Sequence, residues 1–577
     1  MQLIEQGIEI RINRRILFAV NKWGMALLIM LILTVLIYHG LAEVDKNGKC
    51  GENIFWNLNN QGELNISGSG EMDNYTYYTA PWYNYLEEIK TVNIAPGITS
   101  IGEFAFSNLE RITAVSIPDT VSNIRMRAFN GCVSLEGISL PKGLITIGPR
   151  AFYGCIHLAT IEIPSGVLFI EEGAFEACIE LNSVILSSSI IKIGQLAFSD
   201  CMNLNNVIIP SGVCSIGGGA FAGNTRLTNI EVSANNKVYT AIEGVLYTKD
   251  LKQLVCYPVG KTEESYSILP GVTSICAGAF EGCKHINNVS IPLTTNYIGN
   301  RAFLGCIHLS EVTIPGSVNT IQAQTFYQCY ALEKVTVLAG TQMINRSAFQ
   351  MCETLSQITL PSSLTTIEEW AFASCKGLKS MTIPSNVNVI GDHAFYGCDS
   401  LTSINIPTYM SYLGNLAFLR CQNLTNITIE DGIQSNKYYH VHDGILYSID
   451  LPVSIGYECD PETPFLFTPA GTALFPDFVL SPNLTIIERE AFSGSNVHYV
   501  AIPETVTYIE SQAFSSCPNL QFVYFETCDS GNIEIADDAF AQNSNIIFIG
   551  NNPIIEEYAD AHLMIYYSTI EVEPGNG

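Results

Sequence analysis

The dipeptide Ala-Phe returns every 23 residues along most of this chain. Thr replaces the Ala only before Phe326, and the last group is spaced by 22 and 26 residues. The repeated phenylalanines are Phe106, Phe129, Phe152, Phe175, Phe198, Phe221, Phe280, Phe303, Phe326, Phe349, Phe372, Phe395, Phe418, Phe492, Phe514 and Phe540. A unit of this length cannot bury its apolar side alone, but stacked units can. The period therefore predicts one elongated solenoid with these rings stacked inside it.

Each unit follows the pattern Ile-Pro-x-x-Val-x-x-Ile-Gly-x-x-Ala-Phe-x-Gly-Cys-x-x-Leu-x-x-Ile-x-Ile. Its end alternates apolar and polar residues, which predicts a short strand, and the following proline ends that strand. The Ala-Phe-x-x-Cys part spaces apolar residues as in one helical or 3-10 turn. We expect short parallel strands on the concave side and short helical, 3-10 or irregular segments on the convex side.

The repeat resembles the BspA-like branch of the leucine-rich repeats, which has 23-residue units. Segments 50–56, 64–70 and 80–83 resemble the β-rich cap that precedes such arrays in many secreted members, and Tyr558-Ala559-Asp560 resembles the end of the array. The resemblance covers about residues 50–568. It implies a leucine-rich-repeat fold and a secreted or cell-surface role in binding, adhesion and contact with a host or matrix.

The N-terminus has the layout of an export signal. Arg11, Arg14, Arg15 and Lys22 precede the apolar run 23–38, and small residues precede a possible cleavage site after Ala42. The alternative is an uncleaved anchor, because 23–42 is about as long as the ~20 residues that span a bilayer. Either way, we expect the rest of the chain to be secreted or displayed at the cell surface.

The chain carries 55 acidic and 27 basic residues, for a net charge of −28. Binding to nucleic acid needs clustered Lys and Arg, which are absent from the sequence beyond the N-terminus. The same charge opposes adsorption to anionic lipid, so we expect membrane attachment only through the N-terminal segment, if it stays uncleaved. An apolar content of 47% excludes intrinsic disorder.

Two gaps in the period mark inserts. The predicted division is 1–42 signal peptide or anchor, 43–85 β-rich cap, 86–233 first repeat run, 234–269 hairpin-like insert, 270–430 second run, 431–482 longer Pro-rich insert, 483–548 third run, and 549–577 C-terminal cap and tail. In both inserts a glycine between two β-prone runs, Gly244 and Gly444, predicts a hairpin. The inserts either stiffen the solenoid or project loops that contact a partner.

Twelve of the 18 cysteines stand three residues after the repeated Phe. Residues at one position of successive coils have parallel Cβ directions, which is poor geometry for a disulfide. We interpret them as small buried apolar residues, with disulfides or metal binding as the alternatives. Any bridge is expected among the cysteines outside this position, which are Cys50, Cys214, Cys256, Cys276, Cys459 and Cys528.

Strand positions that alternate with the core are expected to face outward on the concave sheet. From the second run onward they are mostly Thr, Ser and Asn, with a neighbouring row of mixed polar residues. The candidate ligand-facing residues are Thr313, Thr336, Thr359, Thr382, Asn405, Thr428, Lys334 and Gln357. These rows either bind an extended protein or glycan through many weak hydrogen bonds or are simply exposed positions of a sheet.

Enzyme signatures are absent from the sequence, including the nucleophile elbow, the zinc-protease motif and the phosphate loop. His157, His285 and His308 share one repeat position, which suggests repeat drift rather than a site. His440 and His442 form a zinc pair only if both rings lie on one side, and no third ligand is placed near them in the sequence. We therefore predict no catalytic residues, no metal and no cofactor.

Three functions remain open. We expect an exported binding or adhesion module for an extracellular protein or glycan, with the ligand on the concave sheet or the inserts. The alternative is a structural spacer or envelope component without a dedicated ligand. The third is a hydrolase whose site, including His440 or His442, is hidden in the second insert.

Overall fold

The structure is a computed structural model that describes residues 4–5, 8–9, 46–414, 417–421, 423–424, 426–429, 439–442, 445–448, 466–467, 478–480, 484–494, 499–525, 533–543, 546–550, 552–562 and 564–568. Ile4–Glu5 and Ile8–Glu9 form a two-stranded antiparallel pair. In the repeats, two types of strand alternate along the chain. Most coils contribute one A strand and one B strand, and strands of one type pair in parallel with strands of the same type. In the coil after Phe129, the A position forms only an isolated bridge, between Gly137 and Thr160. The predicted leucine-rich-repeat solenoid is confirmed.

The A strands correspond to the Leu-x-x-Ile-x-Ile end of the repeat. In Glu311–Ile314, exposed and buried residues alternate, as the period-2 pattern predicts. The A strands are Thr91–Ile94, Ala114–Ser116, Thr160–Glu162, Ser183–Ile185, Asn206–Ile209, Asn229–Val232, Ser265–Ser267, Asn288–Ser290, Glu311–Ile314, Lys334–Val337, Gln357–Thr359, Ser380–Met381, Ser403–Ile406, Asn426–Ile429, Phe478–Val479, Tyr499–Ile502, Phe522–Phe525, Ile547–Gly550 and Ile565–Ser568.

The B strands arise from the Val-x-x-Ile-Gly part of the repeat, which we did not predict to be extended. Most are two residues long, too short to show a period in the sequence. They are Gly70–Glu71, Ile98–Ile101, Asn123–Ile124, Thr146–Ile147, Phe169–Ile170, Lys192–Ile193, Ser215–Ile216, Gln253–Cys256, Ser274–Ile275, Tyr297–Ile298, Thr320–Ile321, Met343–Ile344, Thr366–Ile367, Val389–Ile390, Tyr412–Leu413, Ile486–Ile487, Tyr508–Ile509 and Glu534–Ile535.

The Ala-Phe-x-x-Cys segments are irregular turns, one of the alternatives that the sequence left open. In the coil of Phe372, the residues two before and two after the ring, Trp370 and Ser374, have φ of 59° and 60°. A helix needs φ near −63°, so these left-handed residues prevent one from forming. The turns pair between coils instead, since the N–H of Phe372 donates to the carbonyl of Ala394 at 2.7 Å.

The repeated phenylalanines form stacks inside the solenoid, which we call the Phe column. Consecutive rings in each run have centroids 4.7–5.8 Å apart and interplanar angles of 23° or less. All sixteen rings are buried. This confirms the aromatic core predicted from the period.

The N-terminal cap adds an antiparallel meander and one more ring to this core. Its strands Asn47–Gly51, Ile54–Leu58 and Glu63–Gly68 are followed in the same sheet by Thr91–Ile94. Trp82 stacks on Phe106 at 5.4 Å and 15°, and its indole N–H donates to the carbonyl of Ala105 at 2.9 Å. Trp82 therefore covers the first ring of the Phe column.

The described residues contain two helices, both outside the repeats. Tyr83–Tyr85 is a 3-10 helix in the cap. The α-helix Pro553–Ala561 begins after Asn552, whose side chain accepts from the N–H of Ile554 at 2.9 Å. Pro at the first helical position and this N-cap explain where the helix starts. Tyr558 on the helix packs edge-on against Phe540, so the helix covers the last ring of the column.

The first insert forms the predicted hairpin and also hides an extra coil. Tyr239–Ile242 pairs antiparallel with Val245–Thr248, which in turn pairs with Gln253–Cys256. Tyr257 then stacks on Phe280 at 5.1 Å and 21°. Tyr257 lies 23 residues before Phe280, so it takes the place of the repeated Phe in a coil that we counted as insert.

Only part of the second insert is described. Tyr439–His442 pairs antiparallel with Ile445–Ser448, as the glycine between them predicted, and Ile445–Ser448 pairs with Leu466–Phe467. Pro452, Pro461, Pro464, Pro469 and Pro476, on which we based the prediction of a rigid loop, lie outside the described residues.

The repeated cysteines form a second buried column, as free thiols. Their role goes beyond filling space, because Cys306 Sγ donates to the carbonyl of Phe280 at 3.2 Å, and ten other coils repeat this bond at 3.0–3.2 Å. Burial raises the pKa of the Cys306 thiol, which keeps the proton it donates. In the coil of Phe221, Asn224 holds this position and its side-chain N–H bonds to the carbonyl of Phe198 at 2.9 Å.

Candidate functional site

The candidate ligand surface is the solvent side of the A strands in the second repeat run, which we call the polar face. Thr313, Thr336 and Thr359 are direct partners in three consecutive parallel strands. Their neighbours along each strand, such as Val312 and Val335, are buried in the core. The hydrophobic alternation therefore holds the three hydroxyls in one line on the solvent side.

A second row runs beside the first. Glu311, Lys334 and Gln357 are direct partners in the same three strands, and the side-chain N–H of Asn288 donates to Glu311 at 3.1 Å. The two charged residues of this row, Glu311 and Lys334, have opposite charges and lie next to each other. The polar face therefore offers donors and acceptors with little net charge.

The polar face continues into the last coils of the run. Asn405 and Thr428 are direct partners, and Thr428 Oγ1 donates to Asn405 Oδ1 at 3.0 Å. Thr382 is exposed on the same surface but lies just after the strand Ser380–Met381, so it is not part of the ladder. All eight candidate residues thus lie on the A-strand side, seven of them within paired strands.

In the first run, the corresponding surface is partly apolar, which our candidate rows did not include. Ile185 and Ile208 occupy the strand position of Thr313 in two successive coils, and their relative exposures are 59% and 52%. An apolar residue at a position that the alternation assigns to solvent was the signal available in the sequence. The polar face therefore does not extend through the whole array.

An open cavity of about 380 Å³ lies beside the first insert. One wall is the A strand Asn229–Val232 with Ser233 and Ala234, and the other includes Tyr239, Thr240 and Ala241 of the hairpin, with Gly244 and Lys249. The sequence predicted the hairpin but not the space between it and the sheet, because that space depends on how the insert docks.

Two of the three histidines that share one repeat position, His157 and His308, contact backbone. The ring nitrogen Nδ1 of His157 lies 2.7 Å from the carbonyl oxygen of Val133, and His308 makes the equivalent contact with Lys284. Across the described ranges, no group of three or more His, Cys, Asp or Glu side chains is arranged to hold a metal ion. The side chains of His440 and His442 lie outside the described part of the chain.

Among the residues that the structure describes, none of the helices has the length and apolar character needed to cross a membrane. The N-terminal segment 23–42, which we predicted to be a signal peptide or an anchor, lies outside those residues.

Comparison with solved structures finds other leucine-rich repeat proteins. A leucine-rich repeat protein from Eubacterium ventriosum is 26% identical, with 61% of this chain and 94% of that chain covered and a TM-score of 0.46. A leucine rich cell surface protein from Faecalibacterium prausnitzii is 24% identical over 66% and 94%, with a TM-score of 0.41. A leucine-rich repeat protein from Bacteroides ovatus is 25% identical over 63% and 99%, with a TM-score of 0.39.

A search of the curated proteins finds no match to this chain. The family model for the BspA type leucine rich repeat region matches six times, at residues 46–136, 77–170, 123–242, 260–377, 342–458 and 470–565. These matches include the cap, the repeat runs and the C-terminal helix, well over half of the chain. The chain therefore belongs to the BspA-type leucine-rich repeat family.

Proposed function

We propose that this protein is exported and acts outside the cytoplasm as a binding module, with an extended protein or glycan as its ligand. The observation that carries the proposal is the in-register ladder Thr313, Thr336 and Thr359 beside Glu311, Lys334 and Gln357. Each coil repeats the same kind of group at the strand spacing of about 4.8 Å. A long ligand can therefore form many weak hydrogen bonds at once.

Rigidity supports this proposal. The ladder lies on the outer surface of a core that contains the Phe column and the column of repeated cysteines, whose side chains are buried. A surface held by such a core loses little conformational entropy when it binds, because it is already ordered. Export is supported by the basic residues and the apolar segment 23–38 that open the sequence.

The test of binding is a screen of glycans and extracellular-matrix proteins against the wild type and the triple variant Thr336→Lys, Thr359→Lys and Thr382→Lys. Two long cationic side chains would stand in the ladder and a third on the same surface beyond it, so we expect at least a tenfold loss of affinity, about 1.4 kcal/mol or more. Unchanged affinity of a ligand found in the screen would rule out the polar face.

A matched control adds three lysines at exposed residues next to the B strands, as Asn319→Lys, Gln342→Lys and Thr365→Lys. We expect it to bind as the wild type does. If a folded wild-type protein binds nothing in the screen, the alternative of a structural spacer without a dedicated ligand is favoured. Mass measurement of the N-terminus of the protein from its native host tests export, since cleavage after Ala42 is the expected result.

A further inference from the structure

The A strand Asn229–Val232 has one open edge. It pairs in parallel with Asn206–Ile209 on one side only, since the hairpin of the first insert comes between it and the next A strand, Ser265–Ser267. In a parallel ladder, successive residues direct their N–H and C=O groups to opposite sides. The N–H of Ser233 donates to Ile209 at 2.9 Å, so the groups of Ile230 and Val232 face the open edge.

The insert covers only one of these groups. The N–H of Ile230 donates to the carbonyl of Gly244 at the hairpin tip, at 3.1 Å. Because backbone groups alternate in direction along the strand, the N–H of Val232 and the carbonyls of Ile230 and Val232 point toward the cavity of about 380 Å³. An edge with free donors and acceptors is a template for another strand.

The opposite wall is also a strand edge. Tyr239–Ile242 pairs with Val245–Thr248 and is the terminal strand of its sheet. Tyr239, Thr240 and Ala241 of that strand line the same cavity. Two strand edges thus border one open space, which is the environment that an extended polypeptide backbone satisfies and a compact ligand does not.

We propose that this cavity, the insert groove, binds an extended segment of another polypeptide by strand addition to Asn229–Val232. The full chain has a net charge of −28, so its field attracts a segment that is net basic. Glu231 and Lys249, which line the groove, add one charge of each sign for side-chain recognition. This site is separate from the polar face and does not depend on it.

The test uses random linear peptides displayed on phage, selected against the full chain in mild detergent. We expect net basic peptides that lose at least about tenfold in affinity when Ser233→Trp or Thr240→Trp places a large side chain in the groove. The matched variant Lys237→Trp, at an exposed residue that does not line the groove, should bind within about twofold of the wild type.

Backbone pairing is tested with the selected peptides themselves. N-methylation of alternate residues removes the donors of one edge and should abolish binding, while the triple Lys variant of the polar face should leave it unchanged. The proposal would be overturned if no peptide is enriched or if the selected peptides are net acidic. It would also be overturned if both groove variants keep their affinity, or if the peptides tolerate N-methylation on either set of alternate residues. Loss of ligand at the polar face alone leaves this site intact, so the two proposals fail separately.

Discussion

The side-chain amide of Asn224 and the carbonyl of Phe198 lie 2.9 Å apart, and this hydrogen bond is the one that a cysteine thiol makes in eleven other coils. Asn543 repeats it with Phe514 at 2.6 Å. Cysteine and asparagine have little in common apart from a hydrogen-bond donor, so in these coils the position holds a small donor, whereas Leu109 occupies it in the coil of Phe106. The repeat therefore depends on a bond between coils as well as on apolar packing.

The first prediction concerns Asn224, which is fully buried with Oδ1 unpaired. Asn224→Cys keeps a donor and removes that buried acceptor, so we expect stability equal to or above the wild type. Asn224→Asp keeps the shape but replaces the donor with an acceptor next to a carbonyl, at a cost of about 3 kcal/mol or more. Thermal unfolding followed by circular dichroism distinguishes them. Equal melting temperatures for the Cys and Asp variants would contradict the donor role.

The second prediction uses two residues at one repeat position, Ser374 and Gly397, with φ of 60° and 66°. A left-handed residue with a Cβ costs about 1–2 kcal/mol. Ser374→Gly should therefore stabilise the coil by up to about 1 kcal/mol. Gly397→Ala should destabilise it by about 1–2 kcal/mol, because alanine disfavours the left-handed conformation. No steric clash adds to this cost, since the new Cβ would lie 3.6 Å from Ser374 Oγ, an ordinary contact.

Urea denaturation of both variants and of the double variant measures these effects. The double variant should lie near the sum of the two single changes, because each effect comes from the backbone conformation of its own residue. A stabilising Gly397→Ala would show that the left-handed turn relaxes easily, contrary to the expectation.

The third prediction concerns Tyr257, which occupies the Phe column while its hydroxyl is buried without a hydrogen-bond partner. Tyr257→Phe removes a buried unpaired hydroxyl and restores the ring of the repeat, so we expect about 1 kcal/mol of stabilisation. Tyr257→Ala should cost about 3–5 kcal/mol, since it leaves a ring-sized cavity. Hydrogen exchange of the amides in the coil of Phe280 reports the local effect.

The control for Tyr257 is Tyr247→Phe. The hydroxyls of Tyr247 and Tyr266 lie 2.6 Å apart, so this variant removes a hydrogen bond and should destabilise the protein. We therefore expect Tyr257→Phe to raise the stability and Tyr247→Phe to lower it. A change of the same sign in both variants would contradict the statement that only the hydroxyl of Tyr257 lacks a hydrogen bond.

The fourth prediction is a pH dependence from Glu281, whose relative exposure is 8%. Burial raises its pKa to about 7, although its ion-pair partner Arg301 acts in the opposite direction. The folded state therefore holds the proton up to about pH 7, whereas an unfolded Glu releases it near pH 4.3. The contribution of Glu281 to stability is thus lost as pH rises through this interval, by up to about 3 kcal/mol.

Glu281→Gln removes this titration. Relative to the wild type, the variant should gain stability between pH 5 and pH 8, by up to about 3 kcal/mol. Glu311→Gln removes the same charge at an exposed residue and serves as the control for the change in net charge. A pH-independent difference between Glu281→Gln and wild type would contradict the raised pKa.

Most of the core could be predicted from the sequence because it repeats. The Phe column and the A strands follow from a period of 23 and an alternation of 2, which both appear in each copy. The B strands are mostly two residues long and pair only with other coils, so they carry no local signal. Trp82 and Tyr257 were missed because neither is a phenylalanine, although each extends the ring stack.

The polar face, too, could be predicted only in part from the sequence. Thr313, Thr336 and Thr359 were placed on the solvent side by alternation, and the structure adds that they are direct partners in register. The exclusion of Thr382 from the ladder depends on where strand pairing stops, which no pattern of apolar residues records. The insert groove depends on how the hairpin of the first insert docks against the A strand Asn229–Val232, and the sequence pattern of neither segment specifies that docking.

By itself, the sequence determined the solenoid, its aromatic interior and the residues of the polar face, because side-chain periodicity specifies which residues must leave water together. The tertiary structure decided the second sheet, the left-handed turns, the donor role of the cysteine position and the open strand edge at the first insert. Each of these depends on backbone N–H and C=O groups, which every residue carries alike, so their partners are set only once the coils are stacked.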